Sequence, residues 1–213
     1  PVSREDQHFK PPVRYWNEIP ADSRTFITVD LAGDEDDADF NVVTACAWSK
    51  ANQLYVLEYK RGRFDPSEVI KHVFDMVGKH KPVAVGIETV AYQRVFLHLL
   101  DLEMRRRNDY FPIAKITPHT DKFTRLLSLQ PLWERGDILL KPGMTELEDE
   151  FDSFPRGMND DLLDTLEMQQ HMIQGYTPHV PKADPLAHLA QKDSGSYREW
   201  KNVQDNILAP KKK

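Results

Sequence analysis

The sequence predicts an α/β domain, a mixed sheet with helices on its faces. Two observations carry this. Three β-branched, apolar runs follow one another with short connections, as an antiparallel meander does. Strand-like and helix-like stretches then alternate, giving the order βββαβαβα followed by further helices, and such alternation adds parallel strands to a sheet.

The elements follow in order. "TFITVDL", from Thr25, is a central strand, "FNVVTACAW" a second, and "QLYVLEYKRG" a third after a turn at "SKAN". Asp65-Pro66-Ser67-Glu68 starts a helix: Asp65 can cap, Pro66 suits the first helical position and Glu68 completes a capping box. Val69, Ile70, Val73, Phe74 and Val77 share its inner face. "VAVGIE" is a short, wholly apolar strand ended by Glu88. A helix from Tyr92 to Arg107 should turn Val95, Phe96, Leu99 and Leu100 inward, and "FPIAKI" is a fifth strand. "DKFTRLLSLQPLWERG" reads as one helix ending near Gly136, "DILL" as a short extended piece, "MTELEDEFDSF" as a short helix and "NDDLLDTLEMQQHMI" as the last strong one.

The chain has 213 residues, a net charge of −6, 40% apolar and 29% charged residues, which suits a soluble globular chain of one domain. We place an extended, proline-bearing arm at 1–24, the folded domain at 25–175 and a loosely held tail at 176–213. No run is long enough to span a bilayer, so no membrane partner is expected. The chain opens at Pro1 without an initiator methionine, as a processed product or a fragment would. The single cysteine, Cys46, excludes an internal disulfide and reads as a small core residue in a reducing compartment. Mild acidity disfavours a plain DNA-coating protein, but the acids are clustered, and cations bound there would reverse the local field.

Asp30 ends the first strand, where a carboxylate must be solvated, paired or bound to a cation. Alone it is an ordinary strand end. Glu88 repeats the arrangement on the fourth strand, and if the two strands are parallel neighbours both acids reach one edge, where ligands of such sheets bind. In Asn159-Asp160-Asp161-Leu162-Leu163-Asp164, Asn159 can cap and the three aspartates share a helix face. A helix dipole favours acids in a first turn, but three in five residues exceed that need. Oxygen donors at this density favour Mg²⁺ or Mn²⁺. Zinc is not expected, since one cysteine and eight scattered histidines form no Cys-x-x-Cys or His-Glu-x-x-His pattern. The acidic stretch 34–39 lacks EF-hand spacing and reads as a solvated loop, with Asp39 its one site candidate. No P-loop is present. Two cations roughly 3.5–4 Å apart would suit phosphodiester hydrolysis.

The chain resembles, over residues 25–175, the nuclease domain of tailed-phage terminase large subunits, of the RNase H-like group that includes Holliday-junction resolvases. The resemblance rests on "TVDLAG" with a first acid at Asp30, "ADFNVV" opening the second strand, "GIETV" with a second acid at Glu88, "DKFTRLLSLQPLWERGDILL" and "NDDLLDTL". The fourth segment favours terminases over resolvases. A histidine often precedes the paired acids in this family, and Asn159 stands there instead. The resemblance implies an RNase H-like five-stranded sheet, three antiparallel strands plus two parallel. It implies a two-metal Mg²⁺ or Mn²⁺ endonuclease that cuts double-stranded viral DNA during packaging. Asp30 would bridge both ions, Glu88 would hold one, and Asp160 and Asp161 the other, with Asp164 in support. It also implies an ATPase domain, portal and small terminase as partners, and the bacterial host cytoplasm as the compartment. A junction resolvase or a non-catalytic docking module remain the rival readings.

By spacing alone Lys122 and Arg125, three apart, form a solvated helix face; the family match makes them contacts to DNA phosphates or to the acids. Arg105, Arg106 and Arg107 at a helix end, and Lys60, Arg61 and Arg63 at the end of the third strand, are further phosphate-contact candidates. Trp16, Trp48, Trp133 and Trp200 read as packing residues.

Overall fold

The structure, a computed structural model, describes residues 8–10, 12–32, 40–88 and 93–175. The acidic stretch 34–39 with Asp39, and the tail from 176 with Trp200, lie outside the described residues. The strands are β1 (Arg14–Tyr15), β2 (Arg24–Asp30), β3 (Asn41–Trp48), β4 (Leu54–Gly62), β5 (Ala84–Glu88), β6 (Ile113–Ile116) and β7 (Ile138–Leu140). The helices are α1 (Pro66–His80), α2 (Gln93–Arg107), α3 (Lys122–Leu127), α4 (Gln130–Arg135), α5 (Thr145–Ser153) and α6 (Asp161–Gly175). Among the described residues no helix is long and apolar enough to cross a membrane.

The strands form one mixed sheet in the order β1-β7-β4-β3-β2-β5-β6. β2, β3 and β4 are the antiparallel meander, and β5 and β6 extend it in parallel beside β2. The sheet has two strands beyond the five expected. β7, the "DILL" piece, pairs parallel with β4, and β1 pairs parallel with β7. Strands of two and three residues are too short to show a periodic pattern.

Side chains alternate across the sheet and divide the core in two. Ile27, Val29, Val43, Ala45, Val85 and Ile87 face α1 and α2. Phe26, Val42, Cys46, Trp48, Val56 and Ala84 face the other layer, which contains α6. α1 carries the expected cap: Asp65 accepts from Ser67 N at 2.7 Å and Glu68 N at 2.9 Å, and Glu68 accepts from Asp65 N at 3.0 Å. On α2 the buried stripe is Phe96, Leu100 and Met104, at a spacing of four. Val95 and Leu99, expected inward, are exposed, because an inward stripe centred on Phe96 turns their neighbouring positions outward.

Two further differences shape the second layer. The single helix expected over 121–136 is two, α3 and α4, divided at Ser128–Leu129 just before Pro131, whose ring disfavours an unbroken helix through it. Gly136 ends α4 at φ 74°, a left-handed conformation that suits glycine. Residues from Phe9 onward, read as arm, pack onto the body. Phe9 is 1% exposed, with ring centroids 5.0 Å from Phe151, 5.4 Å from Phe154 and 6.1 Å from Trp133. Trp133 Nε1 donates to Lys10 O at 2.8 Å and Trp16 Nε1 to Val56 O at 2.9 Å.

Phe9→Ala should therefore cost about 3–4 kcal/mol in urea unfolding, the penalty of truncating a buried aromatic rather than of trimming an arm. A second test concerns Glu58 of β4, which accepts from Lys79 and His80 at the end of α1. Burial opposes its ionisation, but those two donors outweigh it and lower its pKa. A depressed carboxylate stabilises the fold above its unfolded pKa and loses that contribution as pH falls through the folded one. Glu58→Gln should thus lower Tm at pH 7, and the gap to wild type should close below roughly pH 4.

Candidate active site

The alternation that divides the core also aims the acids. Thr28 of β2 points to α6 and donates to Thr165 O at 2.9 Å, so Asp30, two residues on, emerges on the same side. Gly86 of β5 faces Met172 of α6, and a β-carbon there would lie 2.6 Å from the Met172 sulfur, so the glycine leaves room for that side chain against the sheet. Glu88, again two residues on, shares that side. β2 and β5 run parallel with Val29 opposite Ile87, so Asp30 and Glu88 leave the sheet together at one edge.

The start of α6 meets them there. The helix begins at Asp161, and Asp164 N donates to Asp160 O at 3.0 Å, so Asp160, rather than the expected Asn159, holds the position before it. Asp30, Glu88, Asp160, Asp161 and Asp164 line one cleft of about 300 Å³, together with Lys122 and Arg125.

Burial governs the electrostatics, with the neighbouring charges adding to it or opposing it. Burial, then Asp164 and Glu88, hold Asp30 well above the usual carboxylate range. Burial lifts Asp164 to about 6 against the pull of Lys122, and burial raises Glu88 against the pull of Arg125. Both cations come from α3. Lys122 Nζ lies 2.6 Å from Asp160 Oδ1 and 2.7 Å from Asp164 Oδ2. Burial works against its charge, yet Asp164 and Asp160 raise its pKa. Arg125 lies 3.4 Å from Asp164 and 3.0 Å from Glu167, and Glu167 in turn pairs with His171 at 2.8 Å.

This donor set is all oxygen, which suits a hard divalent cation. Asp164 Oδ1 is buried without a hydrogen bond and lies 3.4 Å from Arg125 Nη2, held by charge alone. The acids stand apart rather than converged: among the described residues no group of three or more His, Cys, Asp or Glu is arranged to hold an ion, and the Lys122 ammonium sits between Asp160 and Asp164.

The other basic candidates divide. Arg63 is exposed, 5.6 Å from the ring of Phe40, which lines the cleft. Lys60 is also exposed. Arg61 is turned inward: its side chain is 10% exposed and lies 3.6 Å from both Glu150 and Asp161. Arg105, Arg106 and Arg107 do not line the cleft. They pair with Asp101 and Glu103 of their own helix.

Two acids near the site escape a reading by spacing. Glu167 continues the α6 acid face one turn beyond Asp164, which is a visible signal. Glu150 is 4% exposed, and its only trace in sequence is a charge on the stripe of Leu147 and Phe151. Its Oε2 accepts from Leu162 N at 3.0 Å and Leu163 N at 3.1 Å, and burial pushes its carboxyl up to about 7.

No protein-family model matches the chain, and no curated protein matches its sequence. Solved structures do match. The large terminase of the thermophilic bacteriophage D6E matches over 76% of this chain, with a TM-score of 0.56 and 14% identity, but this spans only 43% of that chain. The large terminase nuclease of the thermophilic phage G20c with bound zinc matches over 73% of this chain and 90% of its own, with a TM-score of 0.55 and 15% identity. The human cytomegalovirus terminase nuclease domain, soaked with manganese and inhibitor-bound, matches over 75% and 89%, with a TM-score of 0.56 and 14% identity. The chain therefore has the fold of a large-terminase nuclease domain, an RNase H-like α/β domain.

Proposed function

We propose that this chain is a divalent-metal-dependent endonuclease that cuts double-stranded viral DNA with low sequence specificity during genome packaging. One observation carries the reading: five carboxylates from two strand ends and one helix start share a single cleft rimmed by cations. The fold match supports it, and the G20c and cytomegalovirus domains were solved with zinc and manganese. A G20c nuclease structure with magnesium also matches. On this reading the working partners are duplex DNA, an ATPase motor, the portal and the small terminase, and the place of action is the host cytoplasm.

Asp30, Glu88, Asp160 and Asp161 would hold Mg²⁺ or Mn²⁺, with Asp164 in support. Bound there, two such ions supply Lewis-acid activation of water and neutralise charge at the scissile phosphate. The chain's own groups do the rest. Arg125, held between Asp164 and Glu167, fixes a positive wall beside the acids. Lys122 is 47% exposed, so its ammonium can leave the aspartates for a backbone phosphate. Arg63, exposed over Phe40, offers a further phosphate contact at the rim. Phosphate contacts position a duplex without reading its bases, which accounts for low specificity.

Supercoiled plasmid should be nicked with Mn²⁺ or Mg²⁺ and spared with EDTA, and Asp30→Asn and Asp161→Asn should fall to background. Equal nicking by all three proteins would indicate a contaminating nuclease and end this reading. Lys122→Met should lower stability in EDTA at pH 7 by about 1 kcal/mol, after allowance for its exposure, because Asp160 and Asp164 then lose the ammonium between them and only Arg125 remains beside Asp164. Mg²⁺ should restore most of that loss in urea unfolding.

A further inference from the structure

We infer that Glu150 and Arg61 are positioning residues for the acid cluster: Glu150 holds the first turn of α6 from the neighbouring helix, and Arg61 carries that constraint to Asp161. This deepens the nuclease reading and rests on it.

The first amides of any helix lack intrahelical partners and take a side-chain acceptor, usually from the residue just before the helix. α6 takes its acceptor from α5. Glu150 Oε2 receives both Leu162 N and Leu163 N, at 3.0 and 3.1 Å, the second and third amides of the helix. Whenever Glu150 is ionised, these bonds are charge-assisted and point along the helix dipole, and so exceed a local hydroxyl cap.

Glu150 is absent from the cleft lining, so it does not face the cleft as a ligand. Its second oxygen lies 3.6 Å from Arg61 Nη1, and Arg61 Nη2 lies 3.6 Å from Asp161 Oδ2. The guanidinium thus separates two carboxylates that would otherwise repel across a buried gap. Its own plane is held 4.2 Å from the centre of the Phe40 ring. At 3.6 Å it attracts Asp161 from beyond hydrogen-bond distance and so biases where the carboxylate points. The turn that Glu150 grips bears Asp161 and is followed by Asp164, and Asp160 stands immediately before it. A displacement of about 1 Å there would separate these donors from Asp30 and Glu88, and displacements of that size reduce rates about 100-fold.

The test compares wild type with Glu150→Ala, Glu150→Gln and Arg61→Met. It reads amide exchange at Leu162 and Leu163, the Mn²⁺ dissociation constant by titration calorimetry, and kcat and KM for plasmid nicking. Glu150→Ala should speed exchange at both amides, weaken Mn²⁺ about 10-fold and lower kcat about 10- to 100-fold, with KM within about twofold. Glu150→Gln keeps an acceptor and should retain protection and recover Mn²⁺ affinity to within about threefold. Arg61→Met should lower kcat and leave the salt dependence of KM unchanged. A rise in KM with a shallower salt slope would make Arg61 a DNA contact and overturn its positioning role. A folded Glu150→Ala with wild-type Mn²⁺ affinity and kcat overturns the role of Glu150. Should Glu150→Ala not fold, Arg61→Met decides: wild-type Mn²⁺ affinity and kcat there overturn the relay. If wild type itself binds no Mn²⁺, the nuclease reading falls and takes the positioning role with it, whereas altered exchange at Leu162 and Leu163 would still report the cap.

Discussion

α6 can present its acids to the cleft because four buried polar side chains fix its rotation on the sheet. Thr165 O accepts from Thr28, and the Thr165 hydroxyl meets that of Thr44 at 2.7 Å. Gln169, one turn further, donates to Thr28 Oγ1 at 3.0 Å. All four residues are 0–1% exposed. A rotation of α6 by one residue, about 100°, would strand each of these groups in an apolar layer, at about 1–3 kcal/mol apiece. Asp161 and Asp164 precede Thr165 by four and one residues, so the rotation that satisfies the threonines also turns the aspartates to the cleft. Gly86 closes the same contact from β5 by letting Met172 reach the sheet. Fold stability and site geometry share one set of bonds, and the site inherits its precision from the core.

The cost of this arrangement is electrostatic. Two like charges 4 Å apart repel by about 4 kcal/mol at an effective dielectric of 20. The protein answers in two ways. Burial first, and the neighbouring acids after it, raise Asp30, Glu88 and Asp164, so protonation can relieve part of the strain. The protein also places cations from two elements around the acids, Lys122 and Arg125 from α3 and Arg61 from β4. The break between α3 and α4 matters here. A single straight helix over 121–136 would have to satisfy two packing directions at once. The break at Ser128–Leu129 leaves α3 free to lean its Lys122–Arg125 face on α6 while α4 buries Leu132 and Trp133.

How much of this was legible depends on the range of each signal. β2 to β6 could be read because alternation and apolar runs are local, and Asp30 and Glu88 stood out as acids ending apolar strands. Their meeting required parallel pairing of β2 and β5, which the order of elements allows but does not select. The α6 acids were visible by helical spacing. The inward set of α2 was half right, Phe96 and Leu100, because the stripe that buries is selected by the neighbour's shape and not by apolarity alone. β1, the pairing of the extended "DILL" piece as β7 and the packing of Phe9 were hidden, since short strands and a lone aromatic in a proline-bearing segment take their structure from what they touch. Glu150 and Arg61 were hidden for the same reason. A charge beside Phe151 and a basic strand end look like surface features until the tertiary fold encloses both.

The three cations around the cleft are not equivalent, and their burial assigns them different parts. Arg125 and Arg61 are 12% and 10% exposed, and each lies between two acids. A planar guanidinium suits that bridging role, and moving either would leave buried carboxylates uncompensated. Lys122 is 47% exposed and touches Asp160 and Asp164 with a single flexible ammonium. It neutralises the same pair that a hard cation would, on a tether of four methylenes that lets it withdraw. A site built only of fixed arginines would keep its acids compensated but would resist a cation, since the entering charge would have no group to displace. A site built only of lysines would lose its shape whenever they moved. With two arginines holding the frame and one lysine free to exchange, the acids keep their places while the charge between them changes hands.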